Sequence, residues 1–196
     1  FLDTLVDGRF RFMGRTIQVP EAAGTSDFTG VNYYTGDMIT LDLLNPKELF
    51  IKRYYPSGAA LSPSNFLANW PEGLFHMLRW VNHRYHQPII IAENGVEDRD
   101  DHLRPRYLIE HVHQIWRAVN FSWPVRGYFH WSLVDNFEWE RGWSQRFGLW
   151  GLDTATQARI RRPSVDLYAA ICKDNALSSD LIQKYAPEVV GKILPG

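Results

Sequence analysis

The chain has 196 residues, 45% of them hydrophobic and 22% charged, which is the composition of an ordinary folded domain with material for a sizeable core. A formal net charge of -1 without any long basic run argues against nucleic acid or an anionic membrane as a partner. No apolar stretch approaches the ~20 residues of a membrane-spanning helix, and the single cysteine, Cys172, excludes an internal disulfide.

The first residues, FLDTLVDGRF, lack a basic region followed by an apolar one, so they do not read as a secretory leader. Together with the lone cysteine this makes a reducing, cytoplasmic location the expectation. The absence of an initiator Met points to a piece of something longer or to a processed chain. The Asn120-Phe121-Ser122 sequon carries little weight without a leader.

In chain order, residues 1–27 read as irregular, with turn-formers at Pro20 and Gly24. DFTGVNYYTG (27–36) reads as a short strand, rich in Phe, Val and Tyr and bounded by glycines. Pro46, Pro56, Gly58 and Pro63 make 37–68 a long loop region. Residues 69–87 predict a helix that starts near Pro71 and Glu72 and has Leu74, Leu78, Val81 and Tyr85 at helical spacing. IIIA (89–92) is a continuous apolar run of the kind found in parallel strands covered on both faces. A second helix spans 104–120 with Leu108, Val112, Ile115 and Val119 on one side, a third strand 125–134 and a third helix 161–175. Strands recur every ~35–60 residues with helices between them, the pattern of βα units around a parallel sheet.

Polar and aromatic residues follow each strand at once: Asn32-Tyr33-Tyr34, then Glu93-Asn94, then Trp131 through Trp139. Active sites of (β/α) barrels are built at these carboxyl ends. A carboxylate after a buried strand costs desolvation unless something uses or pairs it, so Glu93 reads as facing a site. Aromatics are 14% of the chain, with eight Trp; they serve a well-filled core or stacking platforms for a sugar ring.

The stretches GVNYYTG, IIIAENG and GYFHWSLVDNFEWERGWSQRFGL, in that order, resemble the C-terminal half of glycoside hydrolase family 1, the retaining β-glucosidases and β-galactosidases. The resemblance runs from FLDTLVDGR to RRPSVDLYAAI. It implies an α/β fold, the C-terminal part (about strands six to eight) of a (β/α)8 TIM barrel, with residues 1–196 as a single partial barrel domain. It implies hydrolysis of β-glycosidic bonds by double displacement, with Glu93 as nucleophile. Tyr34 matches the tyrosine that hydrogen-bonds the nucleophile, where a donor favours the charged carboxylate. Asn32 matches a polar residue of the same pocket. Glu138 and Trp139 match the pair that binds hydroxyls of the non-reducing sugar, Trp131 the floor of that subsite and Phe147 an aromatic near O6. An acidic residue followed by Trp at 138–139 implies an unphosphorylated β-glucoside, β-galactoside or β-fucoside, since a carboxylate repels a phosphate. No metal or organic cofactor is implied; the seven histidines, including His102, His111 and His113, show no ligand spacing and read as helix surface or core.

Each of these residues has a plainer alternative. Glu93 could cap the following helix, Tyr34 could be a core tyrosine, and Trp131 and Trp139 could serve packing; Asp135-Asn136 reads as shaping its loop. The chain also departs from the family pattern. It contains no T-x-N-E-P motif, which carries the family's general acid/base, and a retaining enzyme needs two carboxylates ~5–5.5 Å apart. Leu67 stands where an aglycone-side Trp is usual, with Trp70 nearby. About three strands leave an open sheet whose edges invite pairing. The implied partners are therefore a β-linked glycoside or oligosaccharide, and an N-terminal half-barrel chain or a second copy. The competing class is a non-catalytic half-barrel that binds carbohydrate or serves as an assembly partner.

Overall fold

The computed structural model describes residues 1–194; residues 195 and 196, included in the expected domain span, lie outside the described residues. The elements, in order, are α1 (Leu2–Asp7), β1 (Arg9–Phe12), β2 (Arg15–Gln18), β3 (Thr29–Asn32), β4 (Met38–Leu41), β5 (Ile51–Tyr54), β6 (Ala60–Leu61), β7 (Ala68–Asn69), α2 (Pro71–Tyr85), β8 (Ile89–Asn94), α3 (Arg104–Asn120), β9 (Val125–His130), β10 (Trp150–Leu152), β11 (Arg159–Arg161), α4 (Ser164–Asp174), α5 (Ser179–Tyr185) and α6 (Val190–Ile193). Among the described residues no helix is long and apolar enough to cross a membrane.

The organising unit is a parallel three-stranded sheet in the order β3-β8-β9. Helix α2 links β3 to β8 and α3 links β8 to β9, the βα alternation read from the sequence. Pro71 opens α2, where a missing N–H costs nothing. His86 closes it in a left-handed conformation, donating its N–H to Asn82, two residues before Pro88. The predicted stripe of Leu74, Leu78, Val81 and Tyr85 is buried against Val31, Ile89 and Ile91. Each such aliphatic side chain contributes about 1.5–3 kcal/mol by leaving water.

Two expectations change at β8 and α3. Ile89 and Ile91 are fully buried under the helices, but Ile90 is only half-buried and Ala92 exposed, so one face of the strand is covered, not two. Gly30 and Asn32 of β3 and Phe129 of β9 are likewise exposed. In α3 the fully buried positions are Arg104, Tyr107, Leu108, Ile109, His111 and Ala118, while Val112 and Ile115 are half-buried and Val119 exposed. The buried face is rotated towards a second core, where Leu108 and Ile109 meet Leu167, Ile171 and Ile182 of α4 and α5.

The segments expected to be irregular hold short regular pieces. Residues 1–27 contain α1 and the β1–β2 hairpin, and 37–68 contain the β4–β5 hairpin and the β6–β7 pair. The third strand ends at His130 and the third helix begins at Ser164.

Candidate active site

At the carboxyl end of the sheet, a register shift between Val31 and Asn32 sets Asn32 opposite Glu93. The backbone N–H of Tyr33 donates to the Glu93 carbonyl at 2.9 Å. Tyr34 follows, and its hydroxyl donates to Glu93 Oε2 at 2.5 Å. Burial raises the Tyr34 phenol well above its ordinary pKa; the hydrogen bond to Glu93 adds to this, as do the charges of Glu93 and Glu138. Tyr34 therefore stays protonated and acts as a donor.

Asn94 is fully buried and ties the strand ends together. Its Nδ2 donates to the Tyr33 carbonyl at 2.7 Å and to the Tyr107 hydroxyl at 3.0 Å, and its Oδ1 accepts from the Tyr128 hydroxyl at 2.9 Å. Tyr107 in turn donates to the Tyr34 carbonyl at 2.8 Å. One amide thus joins β3, β8, β9 and α3 directly behind Glu93. Gly95 is required by close approach: a Cβ there would lie 1.9 Å from the Trp131 carbonyl oxygen. The Trp131 N–H donates to the Asn94 carbonyl at 2.9 Å, so β9 delivers Trp131 beside the same strand end.

Phe147 is buried and meets the Tyr34 ring edge-on at 5.9 Å between centroids. It belongs to a cluster with Leu67, Val96 and Tyr107, against which Tyr34, Phe66 and Trp131 pack. Glu138 is half-buried, its Oε2 accepting from Asn136 Nδ2 at 2.8 Å. Of the seven predicted site residues, Tyr34, Glu93, Trp131 and Phe147 come together at one end of the sheet, and Glu138 acts on Tyr34 through its charge. Asn32 is exposed on the open face, and Trp139 stands outside the cluster at 80% exposure.

Asp135 does shape its loop. It is buried, accepts from the N–H groups of Gly148 and Leu152, and pairs in bidentate fashion with Arg162 at 3.0 and 3.1 Å. Leu67 is buried in the cluster, the Trp70 ring packs against Gly36, and the half-exposed neighbour Phe66 carries the Arg141 guanidinium 3.8 Å over its ring. Asn94 and Phe66 were not among the predicted site residues. The signal for Asn94 was present in the sequence, because an amide between a site carboxylate and a glycine must find partners if buried.

The model of glycosyl hydrolase family 1 matches residues 15–177. The chain belongs to glycosyl hydrolase family 1. It is 36% identical to a β-galactosidase of Saccharolobus solfataricus over 189 residues, covering 92% of this chain and 38% of that protein. It is 37% identical to β-glucosidase A of Thermotoga maritima over 165 residues, covering 77% of this chain and 35% of that protein. Among solved structures, a β-glycosidase from Pyrococcus horikoshii superposes with a TM-score of 0.81 at 32% identity, over 94% of this chain and 43% of its own. The family 1 β-glucosidase from Thermotoga maritima gives 0.74 at 33% identity, over 82% of this chain and 37% of its own. These family 1 structures are (β/α)8 barrels, and the chain covers part of one. A sheet covered on one face only fits a chain that spans part of a barrel, whose interior is filled by side chains from all of its strands.

Proposed function

We propose that residues 1–196 are one partial domain supplying about strands six to eight of a β-glycosidase barrel, with β3, β8 and β9 as those strands. In this reading Glu93 attacks the anomeric carbon of a β-glycoside as the bond to the aglycone oxygen breaks, the acid/base protonating the departing oxygen, and water then releases the covalent glycosyl-enzyme with retention. Tyr34 holds the attacking carboxylate by its hydrogen bond. Trp131 forms the floor under the sugar, Glu138 and Trp139 take its hydroxyls, Asn32 lines the pocket and Phe147 stands near O6. The substrate is an unphosphorylated β-glucoside, β-galactoside or β-fucoside, because Glu138 disfavours a phosphate. The general acid/base comes from an N-terminal half-barrel, which also pairs the free edges of β3 and β9.

The observation that carries this reading is the 2.5 Å hydrogen bond from Tyr34 to Glu93 at the carboxyl end of the central strand, in a family 1 chain. The test is the intact mass of the chain after incubation with an activated 2-deoxy-2-fluoro β-glucoside, alone and with an N-terminal half supplied in trans. Such a reagent asks little of an acid catalyst. A glycosyl-sized gain that Glu93→Gln abolishes supports the assignment. No label under either condition would sink it and leave the non-catalytic half-barrel.

A further inference from the structure

The outer layer of helices holds a groove that the site at the sheet end does not use. It lies where α2, α3 and α6 meet. The Lys192 ammonium of α6 ties them, reaching Glu72 of α2 at 2.9 Å and Glu110 of α3 at 3.2 Å. A cavity of about 430 Å³ opens there between Glu72, His113, Gln114, Trp116, Arg117 and Lys192. A smaller one of about 180 Å³ shares His113 and Trp116 with it and is otherwise walled by Leu177, Ile182, Ile193 and Leu194. What completes a barrel joins this sheet at its free edges and its open inner face. The groove is at neither: α2 and α3 cover the opposite face, over the central strand β8, and the walls of both cavities are this chain's own helices and the turn at Leu177.

The lining defines a ligand chemistry. Trp116 is 59% exposed, and its indole stacks on the His113 ring at 5.6 Å between centroids. Gln114 is only 3% exposed, yet half of its amide is unused. Its Oε1 accepts from Arg117 at 2.7 Å, and among the described residues its Nε2, which borders the cavity, donates to nothing. A buried donor of this kind calls for an acceptor. The charges are already matched. Lys192 pairs with Glu72 and Glu110, and the Arg117 guanidinium lies 4.2 Å over the Phe75 ring. Burial, and then the charges of Arg117 and Lys192, lower the His113 pKa, so that ring is neutral at pH 7. Two acids against two cations leave no surplus to hold an ion. An aromatic platform, a free amide donor and a carboxylate suit a neutral polyhydroxylated ring, and the aliphatic slot beside them suits an apolar tail.

We propose that this groove is a second glycoside site, separate from the catalytic one: the C–H face of a neutral sugar packs on Trp116, its hydroxyls accept from Gln114 Nε2 and donate to the Glu72 carboxylate, and an apolar aglycone enters the slot between Leu177, Ile182 and Ile193. No bond is made or broken here. The assignment does not depend on that of Glu93.

Octyl β-glucoside, kept below its micelle concentration, is the probe, with methyl β-glucoside and octanol as its two halves. The indole N–H signals of the chain are followed by NMR, the Trp116 signal being identified by its absence in Trp116→Phe. Octyl β-glucoside is expected to move the Trp116 signal saturably, and to bind at least tenfold more tightly than methyl β-glucoside, the worth of about two buried methylenes. Leu177→Ser is expected to narrow that ratio. By calorimetry, Trp116→Ala is expected to weaken octyl glucoside binding tenfold or more, while Trp80→Ala, an exposed tryptophan outside the groove, leaves it unchanged. A Trp116 signal that octyl β-glucoside does not move, equal binding of octyl and methyl glucosides, or octanol binding as tightly as octyl glucoside would each overturn the proposal. Glycosyl labelling of Glu93 is expected to be the same in Trp116→Ala and wild type, so failure of either reading leaves the other standing.

Discussion

The Tyr34 hydroxyl lies 2.5 Å from Glu93 Oε2, the shortest link between two strand ends that meet in register at Asn32 and Glu93. The phenol is held by more than this bond: its ring rests edge-on against Phe147 and its backbone carbonyl accepts from Tyr107. Removing only the hydroxyl therefore isolates the hydrogen bond from the packing. Bonds to charged groups contribute about 1.5–3 kcal/mol. Tyr34→Phe is expected to slow glycosyl labelling of Glu93 by roughly 10- to 100-fold, with a melting temperature close to wild type. Mass-resolved labelling rates give the answer; an unchanged rate would remove Tyr34 from the mechanism.

Gly95 tests the close approach behind the site. A methyl there meets a backbone carbonyl at 1.9 Å, and a backbone atom cannot swing aside as a side-chain tip can. Gly95→Ala must push β8 and the Trp131 segment apart. Overpacking of this kind costs about 1–3 kcal/mol. The expected result is a lower urea midpoint and loss of glycosyl labelling even where the chain remains folded.

Asn94→Ala removes three hydrogen bonds at once and leaves the Tyr128 hydroxyl, the Tyr107 hydroxyl and the Tyr33 carbonyl with fewer partners in a buried setting. A buried group left unsatisfied costs about 1–3 kcal/mol. Asn94→Ala is expected to destabilise at the upper end of that range or beyond, by chemical denaturation. Asn94→Asp is no rescue, because it keeps the acceptor and loses both donors.

The contrast between these residues and the open sheet face shows what the sequence could say. Helix α2 was legible because Pro71, the Leu74-Leu78-Val81-Tyr85 stripe and Pro88 are all local signals. The contact between Tyr34 and Glu93 was foreshadowed by their motifs, and the structure brings the two side chains into hydrogen-bond contact. The exposure of Ile90, Ala92 and Phe129 was not legible: an apolar strand is written for its closed barrel, and the chain spans about 38% of the length of relatives such as the Saccharolobus solfataricus β-galactosidase. The β4–β5 hairpin was hidden for a different reason. Its Pro46 sits in the connecting turn and its strand residues face solvent, so neither alternation nor a buried run announces it.

Arg162 tests whether Asp135 serves the loop. The pair is buried and bidentate, and Arg162 also donates to the carbonyls of Arg99 and of Gly148, so it anchors the segment that delivers Phe147. Breaking a buried pair costs about 3–5 kcal/mol where the remaining charge is uncompensated, and Arg146, 3.6 Å from Asp135, sets the expectation at the lower end. Arg162→Leu is expected to fall in that range by urea denaturation. A change below about 1 kcal/mol would mean that Asp135 is held well enough by the N–H groups of Gly148 and Leu152 together with the Arg146 guanidinium, 3.6 Å from its Oδ2.

His130 gives the stability of the fold a sign with pH. Burial, with the Arg104 charge adding to it, depresses its pKa from 6.5 to about 3. The unfolded chain therefore takes up a proton near pH 6.5, and the folded chain does not until about pH 3. The folded state is penalised as pH falls below 6.5, by about 1.4 kcal/mol per pH unit, and the contribution is intact above that value. His111, also depressed to about 3 by burial, acts in the same direction, as do carboxylates such as Asp3 and Asp153 whose pKa values are lowered by hydrogen bonds. The His130 share must be read as a difference. The His130 ring makes no well-formed hydrogen bond, and the Phe147 carbonyl that approaches it also accepts from the Ser132 N–H, so an apolar replacement leaves no group stranded. His130→Leu is expected to match or exceed wild type in stability at pH 5. Its loss of stability between pH 7 and pH 5 should be smaller than wild type's by on the order of 2 kcal/mol. Parallel stability curves for the two proteins would show that His130 takes its proton at an ordinary pH, which its burial beneath the Phe147 segment would then fail to explain.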